Sequence, residues 1–240
     1  MNDSITIKNR SISTTSSLVF RLNDKLYLRD PQHTELGRNI IQASITLIDE
    51  LGFEAFTFRK LADKISSTEA SIYRYFENKH RLLHYLVAWY WNWLEYRIEM
   101  ATANISEPRT RLFTSIRVIA EEKKFDPVFA FVDESALHRI VVNELDKTFL
   151  TKWVDHDNQA GLFGGFKNIC KKISGYIEAI NPNYPYAHAL VSTVLLAANQ
   201  QQFFVQHLPT LSSLNPEETP AQQHEHLYQF LEGVVLSVLQ

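Results

Sequence analysis

The sequence is poor in cysteine: among its 240 residues only Cys170 carries a thiol. An internal disulfide is therefore excluded, and a single free cysteine suits a reducing cytoplasm. We expect Cys170 to be a small, buried, apolar side chain. The first residues, Met-Asn-Asp-Ser-Ile-Thr-Ile-Lys, lack the apolar core of a secretory signal, which also predicts a cytoplasmic protein.

Charge is missing from residues 179–216, which contain no Asp, Glu, Lys or Arg. Their helical part, 186–207, turns polar at Asn199-Gln200-Gln201-Gln202, so its apolar length is too short to span a membrane. An uncharged helix needs burial on more than one face. Together with the apolar stripe of a final helix, it predicts a homodimer held by a four-helix bundle through residues 186–207 and 221–240.

Catalytic motifs are missing as well: there is no His-Glu-x-x-His, P-loop, Gly-x-Ser-x-Gly or Gly-x-Gly-x-x-Gly. Two histidine pairs, His80 with His84 and His224 with His226, have no clustered cysteines or carboxylates to complete a metal site. We interpret them as solvated histidines, and we expect no metal, no cofactor and no enzymatic activity.

Positive charge is scarce for a nucleic-acid-binding protein, since the net charge is −3. Residues 1–34 carry five basic and three acidic side chains, residues 35–86 carry seven of each, and the remainder carries the acidic excess. The small positive excess at the N-terminal end predicts moderate, salt-sensitive binding to DNA in general. Specificity would then rest on a few placed contacts.

What the sequence does contain is a helix-turn-helix pattern in residues 56–83. Thr57 can cap a helix whose apolar positions recur at helical spacing. Ser66-Ser67 interrupts that pattern, and Thr68 can cap the next helix. The pattern predicts two short helices joined by a tight turn, followed by the start of a third.

The second helix of this pattern has two different faces. Ile72 and Phe76 share one side, which must be the buried one. The opposite side is small, polar and basic, which suits a helix that enters a DNA major groove; an ordinary surface helix is the alternative. This side comprises Ala70, Ser71 and Arg74, flanked by Tyr73 and Tyr75.

The next helix begins with three cationic residues. Asn78 can cap it, and Lys79, His80 and Arg81 occupy the first turn, where the helix dipole favours acidic residues. Cations beside free backbone N–H groups predict an anion site, for which DNA phosphate is the natural ligand.

These residues resemble the N-terminal DNA-binding domain of the TetR/AcrR family of bacterial repressors, over roughly residues 38–94. The resemblance implies that Arg59 touches a base or a phosphate and that Lys79 holds the DNA backbone. It also implies that the recognition helix is lined by Ser71, Tyr73, Arg74 and Tyr75. The residues that carry it are Gly52, Thr57, Arg59, Leu61, Ala62, Ser71, Ile72, Tyr73, Phe76, Lys79, Leu82 and Leu83. The full predicted DNA-binding set is Thr57, Arg59, Thr68, Ala70, Ser71, Tyr73, Arg74, Tyr75 and Lys79.

Two residues depart from the family pattern. The family usually has glycine in the turn where this chain has Ser66, and serine is strained there if the turn needs a positive φ. Glu69 suits the dipole at the start of the recognition helix but repels phosphate, unless it accepts a hydrogen bond from a cytosine N4. Both departures bear on the operator sequence rather than on the fold.

Residues 1–33 are predicted to be an N-terminal extension, longer than the usual family lead-in. Residues 1–17 are rich in Ser, Thr and Asn, which predicts a mobile tail. Residues 18–30 alternate apolar and polar side chains, so either they pack on the domain or their basic residues follow the DNA backbone or a minor groove. Those basic residues are Arg21, Lys25 and Arg29.

The rest of the chain is predicted to be helical. A long helix from Arg81 to about Ala103 has an inward seam, and in proteins with this resemblance that helix connects the DNA-binding domain to a ligand domain. The seam comprises Leu82, Leu86, Trp89, Trp93, Tyr96 and Met100. Scattered aromatic residues are candidates to line an apolar effector pocket, with core packing as the alternative for each. They are Phe125, Phe129, Phe149, Trp153 and Phe166.

The sequence therefore predicts an all-α protein with a helix-turn-helix domain at 34–84 and a helical effector-binding and dimerisation domain at 85–240. We expect a homodimeric regulator, a repressor of transcription, that binds a palindromic operator in double-stranded DNA and is released by a small molecule. The alternative is an all-α small-molecule-binding or enzymatic domain whose helix-turn-helix is purely structural.

Overall fold

The computed structural model describes residues 19–129 and 131–239, and within these ranges the regular structure is helical throughout. The predicted all-α class is confirmed. None of the helices in the described ranges is both long enough and apolar enough to cross a bilayer. The α-helices are α1 Glu35–Leu51, α2 Phe58–Lys64, α3 Glu69–Tyr73, α4 Lys79–Thr102, α5 Pro108–Ala120, α6 Glu134–Glu144, α7 Asp146–Phe149, α8 Val154–Gln159, α9 Gly164–Ile180, α10 Ala187–His207 and α11 Pro220–Val238.

Helix α1 is capped by Thr34 at its N-terminus and by Gly52 at its C-terminus. The Thr34 hydroxyl accepts a hydrogen bond from the Gly37 N–H at 3.0 Å, and Gly52 ends the helix with φ at 76°. Gly37 lies so close to a preceding 3₁₀ turn that an added Cβ would come within 2.2 Å of the Pro31 carbonyl oxygen. Glycine at this position therefore lets the N-terminal segment pack directly on α1.

Helix α4 is the longest helix and lies at the centre of the molecule. It packs against α5, α6 and α9, and its Trp89 and Trp93 are among the largest buried side chains. The predicted inward seam is confirmed over most of the helix. The prediction is wrong for Met100, because its side chain is 56% exposed. Ile98 and Thr102 are buried, so at the end of α4 the buried face passes through positions 98 and 102 and leaves position 100 in solvent.

The segment from Val19 to Thr34 packs on both halves of the molecule. Phe20 contacts Trp89 and Phe129, with ring centroids 5.2 and 5.4 Å apart. Leu22 and Leu26 are buried, whereas the basic residues of the segment, Arg21, Lys25 and Arg29, are exposed. This packing favours the interpretation of the segment as part of the domain. The predicted mobile tail, residues 1–17, lies outside the described residues.

The C-terminal helices form a layered bundle behind α4. Helix α5 packs on α4, α9 and α11, and α10 packs on α6, α9 and α11. Pro108 starts α5, as its position in the sequence predicts. Cys170 is buried on α9, and desolvation raises the pKa of its thiol to about 11, so it is a core side chain, as expected.

Candidate nucleic-acid interface

The predicted helix-turn-helix is formed by α2, a tight turn and α3. Thr57 accepts a hydrogen bond from the Lys60 N–H and Thr68 accepts one from the Ser71 N–H, both at 3.2 Å, so both predicted caps are confirmed. Between the helices Ser66 has φ at 51°, in the left-handed region that favours glycine. The serine that replaces the usual glycine is therefore strained.

The inner face of the helix-turn-helix is fully apolar. Ile72 and Phe76 have no exposed surface, and Phe58 and Leu61 pack into the same core from α2. Because 3.6 residues complete each helical turn, burial of Ile72 fixes which residues of α3 point outward.

The outer face holds most of the predicted DNA-binding set. Tyr73 is 48% exposed, and its ring packs edge-on against Phe58 with the centroids 5.0 Å apart. This contact holds the ring against α2 while about half of the side chain stays exposed. Ser71 is half-buried, with its hydroxyl 2.9 Å from that of Thr68. The exposed members of the set are Thr57, Arg59, Thr68, Ala70, Tyr73 and Arg74.

Tyr75 does not belong to this outer face. Its side chain is 2% exposed, and its hydroxyl lies 2.7 Å from that of Thr34 at the cap of α1. Its carbonyl accepts a hydrogen bond from the Leu28 N–H at 2.8 Å. The prediction placed Tyr75 on a regular helix, but α3 ends at Tyr73, so the chain turns and carries this side chain inward.

Lys79 also has a different partner from the one predicted. Its ammonium group donates to the carbonyl oxygens of Phe53, Glu54 and Phe56 at 3.1, 3.3 and 3.3 Å, and lies 4.7 Å from the centre of the Phe53 ring. The cation therefore holds the loop between α1 and α2.

The predicted anion site at the start of α4 is not assembled. Asn78 caps the helix as expected, accepting a hydrogen bond from the Arg81 N–H at 2.9 Å. The Arg81 guanidinium pairs with Asp157 at 2.9 Å, and His80 packs edge-on against Phe53. Lys79 and His80 thus both lie against Phe53, whereas Arg81 is held by Asp157 on α8, so the three side chains do not converge on one point.

The sequence of this region matches a known family. The model of the bacterial regulatory proteins of the tetR family matches residues 40–86, which span most of α1, the helix-turn-helix and the start of α4. Residues 40–86 are therefore similar in sequence to this family of regulatory proteins. The resemblance recognised in the sequence is confirmed. No curated protein matches the chain.

Solved TetR-type structures share the fold over nearly the whole chain. The ketosteroid transcriptional regulator KstR2 of Mycobacterium tuberculosis is 16% identical, with a TM-score of 0.56, over 88% of this chain and 100% of that one. AibR in complex with isovaleryl coenzyme A and operator DNA is 13% identical, with a TM-score of 0.55, over 80% and 97%. A TetR-family regulator from Bordetella parapertussis is 16% identical, with a TM-score of 0.52, over 86% and 100%. At these sequence identities the similarity establishes that the three proteins and this chain share a fold.

Helix α6 joins the C-terminal bundle to α1, the helix that precedes the helix-turn-helix. The Arg139 guanidinium forms two hydrogen bonds with Asp49 on α1, at 3.0 and 2.6 Å. Glu144 accepts a hydrogen bond from the Phe53 N–H at 3.0 Å. Both contacts lie on one helix and hold α1 and the loop that follows it, so a shift of α6 bears directly on the DNA-binding domain.

A second link joins the start of α4 to α8. Asp157 is 4% exposed. Its carboxylate oxygens lie 2.9 Å from Nη1 of Arg81 and 3.7 Å from Nε2 of His84. Burial lowers the pKa of His84, an effect that Asp157 partly offsets. The expectation of a solvated histidine is wrong here, since His84 is 7% exposed. Sequence reasoning missed this link because Arg81 and Asp157 are separated by 76 residues.

The five aromatic residues predicted for an effector pocket are not brought together. Phe149 and Phe166 line one small cavity of about 30 Å³ with Trp91. Phe129 is packed in the core, whereas Phe125 and Trp153 are 56% and 71% exposed. Aromatic residues at irregular spacing carry no signal for a shared cavity, which is why the sequence could not separate these three environments.

The other histidine pair has ordinary partners. His224 lies 2.8 Å from the carbonyl oxygen of Ala120, and His226 lies 2.9 Å from Glu218. Across residues 19–129 and 131–239, His, Cys, Asp and Glu side chains form no cluster of three that could hold a metal ion.

Proposed function

We propose that this protein is a sequence-specific transcription regulator, a repressor that binds a palindromic operator as a homodimer and is released by a small effector. The observation that carries the proposal is the outer face of α2 and α3. There Arg59, Tyr73 and Arg74 are exposed beside small polar residues, while the opposite face is completely buried. Such a face suits major-groove contact.

The proposed dimer would form through α10 and α11. Helix α10 carries no Asp, Glu, Lys or Arg, yet its Leu196 is 38% exposed. On α11, Phe230 and Val238 are 47% and 36% exposed. These exposed apolar side chains on α10 and α11 support packing against a second copy of the chain. The two helix-turn-helix units would then be related by a two-fold axis.

The proposed effector control follows from how the domains are joined. Helix α6 contacts α1, and α4 runs from the helix-turn-helix into the C-terminal bundle. A ligand that moves α6 or α4 would change the distance between the two helix-turn-helix units of the dimer. The AibR structure holds a coenzyme A thioester and operator DNA, which supports a regulator of this type. A regulator of this kind needs no catalytic group, and we place it in the cytoplasm with its DNA.

The test is selection of binding sites from random duplex DNA at about physiological salt, where non-specific binding is weak. We expect a palindrome. Arg59→Ala and Tyr73→Ala should each weaken binding to it by about 1–3 kcal/mol if the residue contacts a base. Arg109→Ala is the matched control, because it removes an exposed cation from α5 and should leave operator affinity unchanged.

Two results would contradict the proposal. One is the absence of any sequence preference under all ligand conditions, which would favour an all-α ligand-binding or enzymatic domain with a structural helix-turn-helix. The other is a palindrome that Arg59→Ala and Tyr73→Ala bind as tightly as the parent, which would show that another face reads the DNA.

A further inference from the structure

The segment before α1 runs along the end of α3. The Leu28 N–H donates to the carbonyl oxygen of Tyr75 at 2.8 Å, so the two backbones lie side by side just beyond the helix. The guanidinium carbon of Arg29 lies 5.4 Å from the centre of the Tyr75 ring. Arg29 is therefore placed beside the residue that directly follows Tyr73 and Arg74, two exposed members of the predicted DNA-binding set.

The charge of Arg29 is not used inside the protein. Its side chain is exposed, and within residues 19–129 and 131–239 no carboxylate lies within 4 Å of its guanidinium. The neighbouring Asp30 has other partners, since it accepts a hydrogen bond from the Gln32 N–H at 2.9 Å and lies 3.1 Å from Nε2 of His33. A guanidinium that stacks on an aromatic ring keeps the N–H donors at its edge available. Arg29 can thus donate to an outside acceptor without losing its contact with the ring.

The segment that carries Arg29 is anchored on both sides of this residue. On the N-terminal side, Asn23 donates to the carbonyl oxygen of Ala160 at 2.8 Å, and Leu26 is 1% exposed. On the C-terminal side, the 3₁₀ turn Pro31–His33 packs on α1. A side chain that is presented from a packed backbone pays less ordering entropy when it binds.

An exposed arginine next to a helix that enters the major groove suits a phosphate. The two sugar-phosphate backbones border the groove, so residues that flank such a helix meet phosphates rather than base edges. The guanidinium fork matches two phosphate oxygens at once. Contacts of this kind fix the position of the protein on the duplex and carry no sequence information.

We propose that Arg29 binds a phosphate of the operator, at the edge of the half-site that α3 contacts. The inference rests on the proposed function and adds to it a DNA contact that lies outside the helix-turn-helix. Residues 19–34 are then part of the packed domain and part of the DNA-binding surface at the same time.

The experiment measures the affinity of the full chain for its selected operator between about 50 and 200 mM NaCl. Arg29→Ala should weaken binding by roughly fivefold or more at the low-salt end, because a charge-assisted hydrogen bond is lost. The slope of log affinity against log salt should become shallower by about 0.9, the value for one phosphate contact. The loss should be the same on operator variants with changed bases, since a phosphate is common to all of them.

Lys25→Ala is the matched control. It removes one exposed positive charge from the same segment, at the end that is anchored to Ala160 rather than to Tyr75. It should leave both the affinity and the salt slope as in the parent. Arg29→Lys keeps the charge, so the parent slope should be retained, although the two-pronged geometry is lost.

Three results would overturn the contact. They are an unchanged affinity and slope in Arg29→Ala, equal losses in Arg29→Ala and Lys25→Ala, and a loss that depends on one operator base pair. If the parent selects an operator and Arg29→Ala keeps the parent slope, this contact alone fails. If the parent shows no sequence preference, the proposed function fails, and the slope change on random duplex DNA still decides whether Arg29 holds a phosphate.

Discussion

Arg139 and Asp49 form a two-pronged ion pair between α6 and α1, with Nε 3.0 Å from one carboxylate oxygen and Nη2 2.6 Å from the other. The pair joins residues that are 90 positions apart and lie on different helices. Arg139 is 49% exposed, so solvent screens the attraction. Its main effect is geometric, because the planar guanidinium fixes both the distance and the angle between the helices.

The Arg139–Asp49 pair should contribute little to stability. We expect a double-mutant cycle of Arg139→Ala and Asp49→Ala to give a coupling of about 0.2–1 kcal/mol in the free energy of unfolding. The measurement is urea denaturation at low salt and again at 1 M NaCl, where the coupling should shrink. A coupling well above this range that salt leaves unchanged would contradict the exposed, screened pair described here.

The two tyrosines near the end of α3 should respond differently to loss of their hydroxyls. Tyr75→Phe removes the contact with Thr34 in a buried site and should cost about 0.5–1.5 kcal/mol of unfolding free energy without a direct effect on DNA. Tyr73→Phe should leave stability unchanged within about 0.5 kcal/mol, since its hydroxyl is on the exposed face. Thermal denaturation and operator binding of both variants check this, and the reverse pattern would show that Tyr75 is the DNA-reading residue.

The turn between α2 and α3 should be improved by glycine at one position only. Ser66→Gly relieves a left-handed backbone at φ 51° and should stabilise the protein by up to about 1 kcal/mol. Ser67→Gly is the control: its φ is not positive, so glycine there should destabilise by about 0.5–1 kcal/mol. Equal shifts in the urea midpoint for both variants would argue against strain at Ser66.

Acid should destabilise the protein through His138. Its pKa is about 3 in the folded state and about 6.5 when unfolded, so below pH 6.5 the unfolded chain binds a proton that the folded chain refuses. Between pH 7 and pH 5 the parent should lose roughly 2 kcal/mol more stability than His138→Gln, which does not titrate. Urea denaturation at the two values gives the difference directly.

A second buried group, Glu134, has the opposite pH dependence. Its contribution cancels when the parent is compared with His138→Gln. Burial raises the pKa of Glu134 to about 7, so the folded state binds its proton more tightly and gains stability as the pH falls from 7 toward 4.5. Both proteins contain Glu134, so its contribution cancels. Parallel loss of stability in the parent and in His138→Gln would show that the His138 ring is not kept neutral by burial.

Local signals in the sequence predicted the helices and caps because each depends on residues close together in the chain. Thr34, Thr57, Thr68 and Asn78 all cap the helices that they were expected to cap. The strain at Ser66 was also predictable, since a turn that usually holds glycine holds serine. The family match over residues 40–86 rests on the same local pattern.

The wrong predictions concern side chains whose partners are distant in sequence. Tyr75 follows the end of a very short helix, and no local pattern places its hydroxyl beside Thr34, 41 residues earlier. The three loop carbonyls that accept hydrogen bonds from Lys79 were likewise not predictable from neighbouring residues, and its contact with the DNA backbone stays a prediction. The prediction that five aromatic residues line one pocket was wrong for the same reason, because the sequence alone does not indicate which of these side chains face one another.

The packing of Phe20 against Trp89 and Phe129 has a consequence for the order of assembly. During synthesis Phe20 emerges more than 100 residues before Phe129. At about 5–20 residues per second, Phe129 follows after roughly 5–20 seconds. The N-terminal segment must therefore wait as an exposed apolar chain until the bundle exists, and it is expected to join the native structure late although it is made first.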